Sequence, residues 1–480
     1  MLRRMSVLVL LAVLRAVAAH AAEWVPNWPQ FRGPGSAGVA EGQKPPVEFG
    51  PTKNVLWKVS VPPGHSSPVI WGDRIFLTAG EGGKLQTLCF SRSDGKLLWR
   101  AGVSVDRIEP MHRDNSPASA TPCTDGQRVY AYFGSFGLVA YDMEGGEVWR
   151  KPLPAGYVLH GSGTSPILAE GRLILNRDQS RGGSFLLAVE PATGREMWRS
   201  PRPQYLSSHS TPVYWARDGA REIVVAGSLR IVGYDVETGA ERWSCGGMEL
   251  VSICPTPAIG EGMLYAMSQS LGGGARFGPA ALGMMMKAMD VDRDGKVALA
   301  DFPAGETRDF FTMFDADADG SLSMEEAGTA ARLMGQSDHG LVALRSPGTG
   351  DVTASHIAWR YSKTVSNVAS GLYYRGDVYF VRNGGFLTCL DGKTGKVVYD
   401  SQRVGAPGDY YASPVAADGR IYLCSRQGTV TAVASGEKPE VLARNELGDS
   451  INATPAIVES RIYVRTAQWL WAFGEPAGSN

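Results

Sequence analysis

Two stretches of the 480-residue chain repeat one acidic pattern, "DVDRDGKVALAD" at 290–301 and "DADADGSLSMEE" at 315–326. In the first, Asp290, Asp292 and Asp294 hold positions 1, 3 and 5, Gly295 holds 6, Lys296 offers its carbonyl at 7 and Asp301 closes at 12. The second repeats the order with Asp315, Asp317, Asp319, Gly320, the Ser321 carbonyl and Glu326. A hard divalent cation takes six to eight oxygens, and alternating aspartates around a glycine turn present theirs inward. Calcium is the metal this chemistry calls for. "AALGMMMKAM" and "RDFFTMF" before the loops and "MEEAGTAARLM" after them carry the apolar stripes of short helices.

That ligand order is the EF-hand order, with two departures. Asp301 is shorter than the usual bidentate Glu at position 12, which predicts weaker binding or a preference for magnesium in the first loop. Pro303 clips the exit helix, and Ala327 follows the second loop where a large apolar residue is usual. Extracellular modules of this type bind at about 10⁻⁴ to 10⁻³ M, so a structural staple is expected rather than a sensor. So small a unit has little core of its own and gains most from a metal.

A second candidate constellation is made of imidazoles and carboxylates. His65, His112, His160 and His209 each precede a Ser/Thr-Pro phrase, with Asp114, Asp409, Asp449 and Asn452 near equivalent phrases. His65 and His209 stand three residues before their prolines, Tyr411 and Asn452 likewise. Such groups could bind a metal, a quinone cofactor or an acidic ligand, and imidazoles would titrate between about pH 5 and 8. They could equally line the wet end of a channel and hydrogen-bond exposed backbone.

What positions both constellations is a phrase recurring eight times, anchored at Ser67, Thr121, Ser165, Thr211, Thr256, Ser370, Ser413 and Thr454. Successive anchors lie 54, 44, 46, 45, 114, 43 and 41 residues apart, and all but Ser370 are followed by proline. Each repeat supplies a middle strand such as "RVYAYF", a third strand such as "GLVAYD" and an outer strand centred on Trp99, Trp149, Trp198, Trp243 or Trp359, with Tyr399 and Leu442 in the weaker copies. A period in the 40s built of short strands is the signature of a propeller. The tryptophans are expected to fill the gaps between sheets. The eighth repeat ends at "WLWAFG" without an outer strand, and "VLWKV" at 55–59 is the one unpaired candidate. The fold class is therefore all-β: an eight-bladed β-propeller closed by an N-terminal strand, which removes the free edges. The long interval places a small α-helical EF-hand pair at 275–337, between the second and third strands of blade five, dividing the propeller into 51–274 and 338–476. The loops leading into innermost strands share one face of such a ring, so the histidines should surround one mouth of the channel.

Residues 1–22 read as a signal peptide: Arg3 and Arg4, an apolar core "MSVLVLLAVL" and an A-x-A site at Ala19-His20-Ala21. The run is too short to span a membrane and Arg15 interrupts it. An exported, periplasmic or secreted, soluble protein is expected, with no transmembrane segment in the mature chain. Residues 23–50 read as an irregular arm packed on the propeller surface, and 477–480 as a tail. A net charge of −1 offers no basic face for nucleic acid. Six scattered cysteines allow 15 full pairings or six free thiols.

The Gly-x-x-x-Trp-Arg phrase, as at Gly95–Arg100 and Gly194–Arg199, resembles the pyrroloquinoline-quinone (PQQ) type propeller repeat. The single-domain form resembles the outer-membrane assembly lipoprotein of the BamB type and its secreted relatives, over about residues 51–274 and 338–476. The repeat serves both quinone enzymes and non-catalytic scaffolds. The resemblance thus implies one of two functions. The first is an exported calcium-binding propeller, monomeric, holding a protein, peptide or polysaccharide ligand on its loop face. The alternative is a PQQ-dependent dehydrogenase oxidising an alcohol or sugar. The adjacent-cysteine disulfide of many such dehydrogenases is absent, as is a haem-attachment C-x-x-C-H, so the scaffold is preferred and PQQ is not favoured as a cofactor.

Overall fold

The computed structural model describes residues 27–154, 156–181, 183–250, 253–269, 279–290, 293–302, 308, 311–345 and 348–475. The signal-peptide reading, Asp292 and the tail fall outside them. Among the described residues, eight sheets of at least four strands follow one another in chain order, and the four strands of each blade pair antiparallel. Blade one is Val69–Trp71, Arg74–Glu81, Lys84–Ser91 and Leu97–Ser104. Its middle strands are buried nearly throughout while Leu97–Ser104 alternates toward solvent. Runs such as "VYAYF" in Arg128–Phe133 are apolar at consecutive positions because each inner strand is covered on both faces by neighbouring blades.

Blade eight consists of Ala456–Val458, Arg461–Arg465, Trp469–Phe473 and, as its outer strand, Val55–Ser60. The pairing is antiparallel, Lys58 opposite Trp471 and Ser60 opposite Trp469. The N-terminal strand therefore closes the ring.

Successive blades are joined by a repeated dock. The Trp57, Trp99, Trp149, Trp198 and Trp359 indole N–H groups donate to the Arg92, Met143, Pro191, Val236 and Gly392 carbonyls of the next blade, at 2.8–3.1 Å. The ring lies on a turn glycine: a Cβ at Gly194 (φ 70°) would come within 2.7 Å of Trp149. Only glycine combines that φ with so close a ring. Trp243 departs from this expectation. Its indole donates to Glu222 in its own sheet (2.8 Å), and the edge of blade four is instead met by Gly350–Asp351, a fifth strand parallel to Trp243–Ser244. The turn of blade five at 345–356 lacks the docking phrase, so backbone pairing replaces the indole.

The insertion leaves blade five between Met263–Ser268 and Gly340–Leu344. It contains helices Pro279–Met289 and Met324–Gln336 and a two-stranded ribbon pairing Lys296–Ala298 with Ser321–Ser323. Its core of Met286, Val297, Phe302, Phe311, Phe314 and Leu322 is continuous with Leu159 and Leu250 of the propeller loops.

Residues 41–50 pack on the outside of blades seven and eight, as an arm on the propeller surface, but 27–40 do not. Trp28 pairs with Ile70 of blade one, Pro29 accepts from Thr124 N of blade two, Gln30 accepts from Leu168 N of blade three, Arg32 donates to the Gly371 carbonyl of blade six, and Gly38 and Ala40 pair with Ala416 of blade seven. These contacts fall on the innermost strands beyond their anchors, so the segment crosses the end of the bore opposite the anchors and plugs it. A turn-rich stretch without periodicity satisfies its backbone there on several blades at once, a set of partners that local sequence does not encode.

Candidate functional site

The anchors form the base of the site. The Ser67 N–H donates to the Thr121 hydroxyl (2.9 Å), Thr121 N to Ser165 (3.0 Å), Ser165 N to Thr211 (3.1 Å) and Thr211 N to Thr256 (3.3 Å). Thr256 N continues to Ser370 (3.0 Å), Ser370 N to Ser413 (3.0 Å), Ser413 N to Thr454 (2.9 Å), and Thr454 N returns to Ser67 (3.0 Å). Eight hydroxyls thus make one closed hydrogen-bonded ring. The invariant Ser/Thr type is explained: a short side-chain oxygen must accept the neighbouring blade's N–H at the axis.

Above the ring lies a cavity of about 290 Å³. All eight anchors line it, as do the residues two before each: His65, Ser119, Gly163, His209, Cys254, Val368, Tyr411 and Asn452. Phe31 of the plug lines it too, and His112, Asp114, Asn115, His160 and Asn367 complete the wall. The bore is a cup, closed below by Phe31.

Of the residues singled out from sequence, the four histidines and Asn452 come together here. His112 and His160 meet edge-on with centroids 5.7 Å apart, and His160 stacks on His209 at 6.3 Å. His160 sits at φ 71°, backbone that favours glycine. His65 Nε2 lies 3.3 Å from Asn452 Nδ2 across the closure of the ring. Asp409 stays outside the cup, 3.6 Å from Arg426. Asp449 does not face the bore: its carboxylate accepts from Ser450 N (3.0 Å) and Gln468 N (2.8 Å), tying the turn beneath it. Backbone donors close in sequence and space captured that side chain.

Electrostatically the cup holds two uncharged imidazoles and one carboxylate paired with an arginine. Burial, aided by Arg465 and Arg426 and opposed by Asp114, pushes His65 down to about 4. Burial and His160 do the same to His209, against a hydrogen bond to the Leu159 backbone. The two imidazoles are uncharged at neutral pH, and the expected titration between pH 5 and 8 moves lower for them. Burial also pushes the Cys254 thiol up to about 12, so it is no nucleophile at neutral pH. Burial works to raise Asp114, but the hydrogen bond and charge of Arg426 outweigh it and hold the carboxyl below its ordinary range. Arg426 lies 3.1 Å from Asp114 and over the Tyr411 ring at 4.5 Å.

The second constellation sits beside the cup. Asp315 accepts from Asp319 N (3.1 Å) and Gly320 N (3.2 Å), and Asp319 from Ser321 N (2.7 Å). Glu326 accepts from Ser323 N (2.9 Å) while Ser323 accepts from Glu326 N, a capping box that starts the second helix. Among the described residues, Asp315, Asp317 and Glu326 alone bring three ligand atoms within 4.8 Å of one another. Oxygens around one calcium at about 2.3–2.6 Å lie no farther apart than twice that bond, so the donor set fits this ion. In the first loop Asp290 accepts from Asp294 N and Gly295 N (both 3.1 Å), Asp294 accepts from Lys296 N (2.8 Å), and Asp301 is exposed on a 3-10 turn. The Lys296 side chain reaches over to Asp319. Arg181, from the blade-three hairpin, donates to Asp315 (3.1 Å) and to the Thr312 carbonyl (2.9 Å).

A family model described as outer membrane protein assembly factor BamB, of the PQQ repeat type, matches residues 89–275 and 338–438, more than half of the chain. The chain belongs to this family. Among solved structures, BamB from Moraxella catarrhalis is similar at 13% identity and a TM-score of 0.53, over 88% of this chain and 99% of that one. The computationally designed Ika8 protein matches at 8% identity and 0.55, over 88% and 100%. Quinohemoprotein alcohol dehydrogenase from Comamonas testosteroni matches at 11% and 0.60, over 94% and 81%. At these identities the likenesses concern the fold. A search of curated proteins found no match.

For a BamB-type propeller, the useful coordinate is distance from the anchor. Position minus two places Ser119, Gly163, Cys254 and Val368 in the cup beside His65, His209, Tyr411 and Asn452. Counting back from every anchor, rather than looking for histidine and carboxylate, would have found the four that were missed. Arg426 and Phe31 carry no such signal. All six cysteines are free thiols, and no helix among the described residues is long and apolar enough to cross a membrane.

Proposed function

We propose that this chain is an exported, periplasmic or secreted binding propeller that takes its ligand at the mouth of the one-ended bore, with calcium stapling the insertion beside it. The observation that carries this reading is the chemistry of the cup wall. Its polar groups are hydroxyls, amides, the uncharged imidazoles of His65 and His209, the edge-on His112 and His160, and Asp114, whose charge is met by the one arginine at the rim, itself shared with Asp409. Hydrogen-bonding walls around a closed pocket hold and orient a ligand. The same walls lack a poised nucleophile with its base.

The quinone reading fits the residues poorly. PQQ is a tricarboxylate and needs unpaired cations around it, whereas His65 and His209 are uncharged above about pH 4. The surrounding guanidinium of Arg465 is buried on the Ser66, Thr78 and Pro62 carbonyls. Incubating the purified chain with PQQ and calcium, then removing free quinone by gel filtration, tests the choice. We expect no retained quinone absorbance and no dye reduction with an alcohol and sugar panel. Retained quinone with alcohol-dependent dye reduction would replace the binding reading by the dehydrogenase.

A further inference from the structure

We infer that the cup takes the end of an uncharged polyhydroxylated chain, a saccharide terminus, held by hydroxyl donors at its base and by neutral acceptors at its mouth. This rests on the binding reading above and names the ligand class for it.

The base supplies donors. Each anchor hydroxyl already accepts a backbone N–H, and among the described residues none of the eight gives its own proton to a protein acceptor. A serine or threonine hydroxyl carries one donor. The ring therefore offers its O–H groups to whatever fills the bore it lines.

The mouth supplies acceptors. The His209 Nε2 is buried without a partner. In the tautomer with its proton on Nδ1, Nε2 keeps a lone pair in the cavity wall. Asn452 turns its Nδ2 to His65 Nε2 at 3.3 Å, which leaves Oδ1 buried and unpartnered. Two unpaired buried acceptors on opposite sides of one cavity are unfavourable unless a ligand or water donates to them.

A ligand matched to both tiers must accept below and donate above, and a hydroxyl group does both. An ionised carboxylate only accepts, and a phosphate, though it can keep an O–H, is an anion; either would find no unpaired cation. An ammonium only donates, and Asp114, the carboxylate of the cup wall, is held by Arg426 at 3.1 Å. Phe31 adds an apolar floor against which the C–H face of a sugar ring can lie. About 290 Å³ is at the small end of ligand pockets, room for a terminal unit with the rest of the chain leaving through the open mouth.

The test titrates glucose, N-acetylglucosamine, maltose and cellobiose into the full chain, with inorganic phosphate and the dipeptide Ala-Ala as charged probes. Calorimetry gives affinity, and the His209 Nε2 nitrogen resonance reports occupancy of the cup. A neutral saccharide is expected to bind and move that resonance. Asn452→Leu is expected to weaken binding tenfold or more, as is His209→Phe by calorimetry, with the melting temperature unchanged. Should either variant fail to fold, Gly163→Leu serves instead. A Cβ there lies 3.3 Å from His209 Cβ, so the larger side chain covers the imidazole and should abolish binding. Saccharide binding that all these variants leave intact, or phosphate or dipeptide seated at His209 in preference, overturns the saccharide assignment but leaves a binding propeller. If no probe moves the His209 resonance, the assignment also falls. Retained quinone with turnover defeats both readings.

Discussion

At the scale of the residue, the imidazoles of the cup are governed by burial. The ordinary histidine pKa is about 6.5, and His65 and His209 are each brought down to about 4. The unfolded chain takes up its protons near 6.5 while the folded chain resists until about 4. Stability supplied by the neutral forms is complete above 6.5 and is lost as pH falls from there to about 4. At about 1.4 kcal/mol for each pH unit between 6.5 and 4, the loss is at most about 3.4 kcal/mol per imidazole. Urea unfolding at pH 7.5 and 4.5 should show the parent losing stability, and a His65→Gln, His209→Gln double variant losing clearly less. An equal loss in both proteins would mean that other groups control the acid transition.

At the scale of the element, blade docking depends on an indole seated on a glycine turn. Trp149 is 9% exposed and bonded to the Pro191 carbonyl, whereas Leu442, at the corresponding place of blade seven, is 36% exposed. Trp149→Ala removes a large packed ring and should cost about 3 kcal/mol or more. Leu442→Ala should stay within about 0.5 kcal/mol, as surface substitutions do. Equilibrium denaturation of the two variants checks the contrast; equal costs would show that the dock is not what couples the blades. The plug obeys a different rule. Arg32 is fully buried at the closed end of the bore, with its guanidinium on the Gly371 and Ala37 carbonyls, and burial lowers it to about 10. It remains charged at neutral pH, held by one backbone oxygen five residues on and another 339 residues away in sequence.

At the scale of the molecule, the insertion and the cup are neighbours. Leu159, one residue before His160, belongs to the apolar cluster of the insertion, and its N–H donates to Ser207, whose hydroxyl meets that of Ser180 next to Arg181. Arg181 then joins buried Asp315. With a dissociation constant of about 10⁻⁴ to 10⁻³ M, 10 mM calcium should stabilise the insertion by about 1.4 to 2.7 kcal/mol. Calorimetric melting with and without calcium should show that gain in the parent, and Asp315→Asn, Glu326→Gln should erase it while the propeller still folds. A gain that persists in the double variant would place the ion elsewhere.

Much of this architecture was legible in one chain because it is local and repeated. The anchors at 41 to 54 residues announced the blades, the interrupted eighth repeat announced the closing strand at 55–59, and the 114-residue interval located the insertion. Turn chemistry, strand period and the acidic loop order are all properties of neighbouring residues. The histidines were placed on one mouth by the same topology. What sequence left open was decided by distance through space. The anchor hydroxyls became a ring only when eight blades met, and the plug found its partners on five of them. Asp449 turned to a backbone nineteen residues on, Trp243 lost its dock to a strand from the next blade, and burial kept His65 and His209 uncharged. Pairing across the bore and desolvation depend on which surfaces face one another, and no local pattern carries that information.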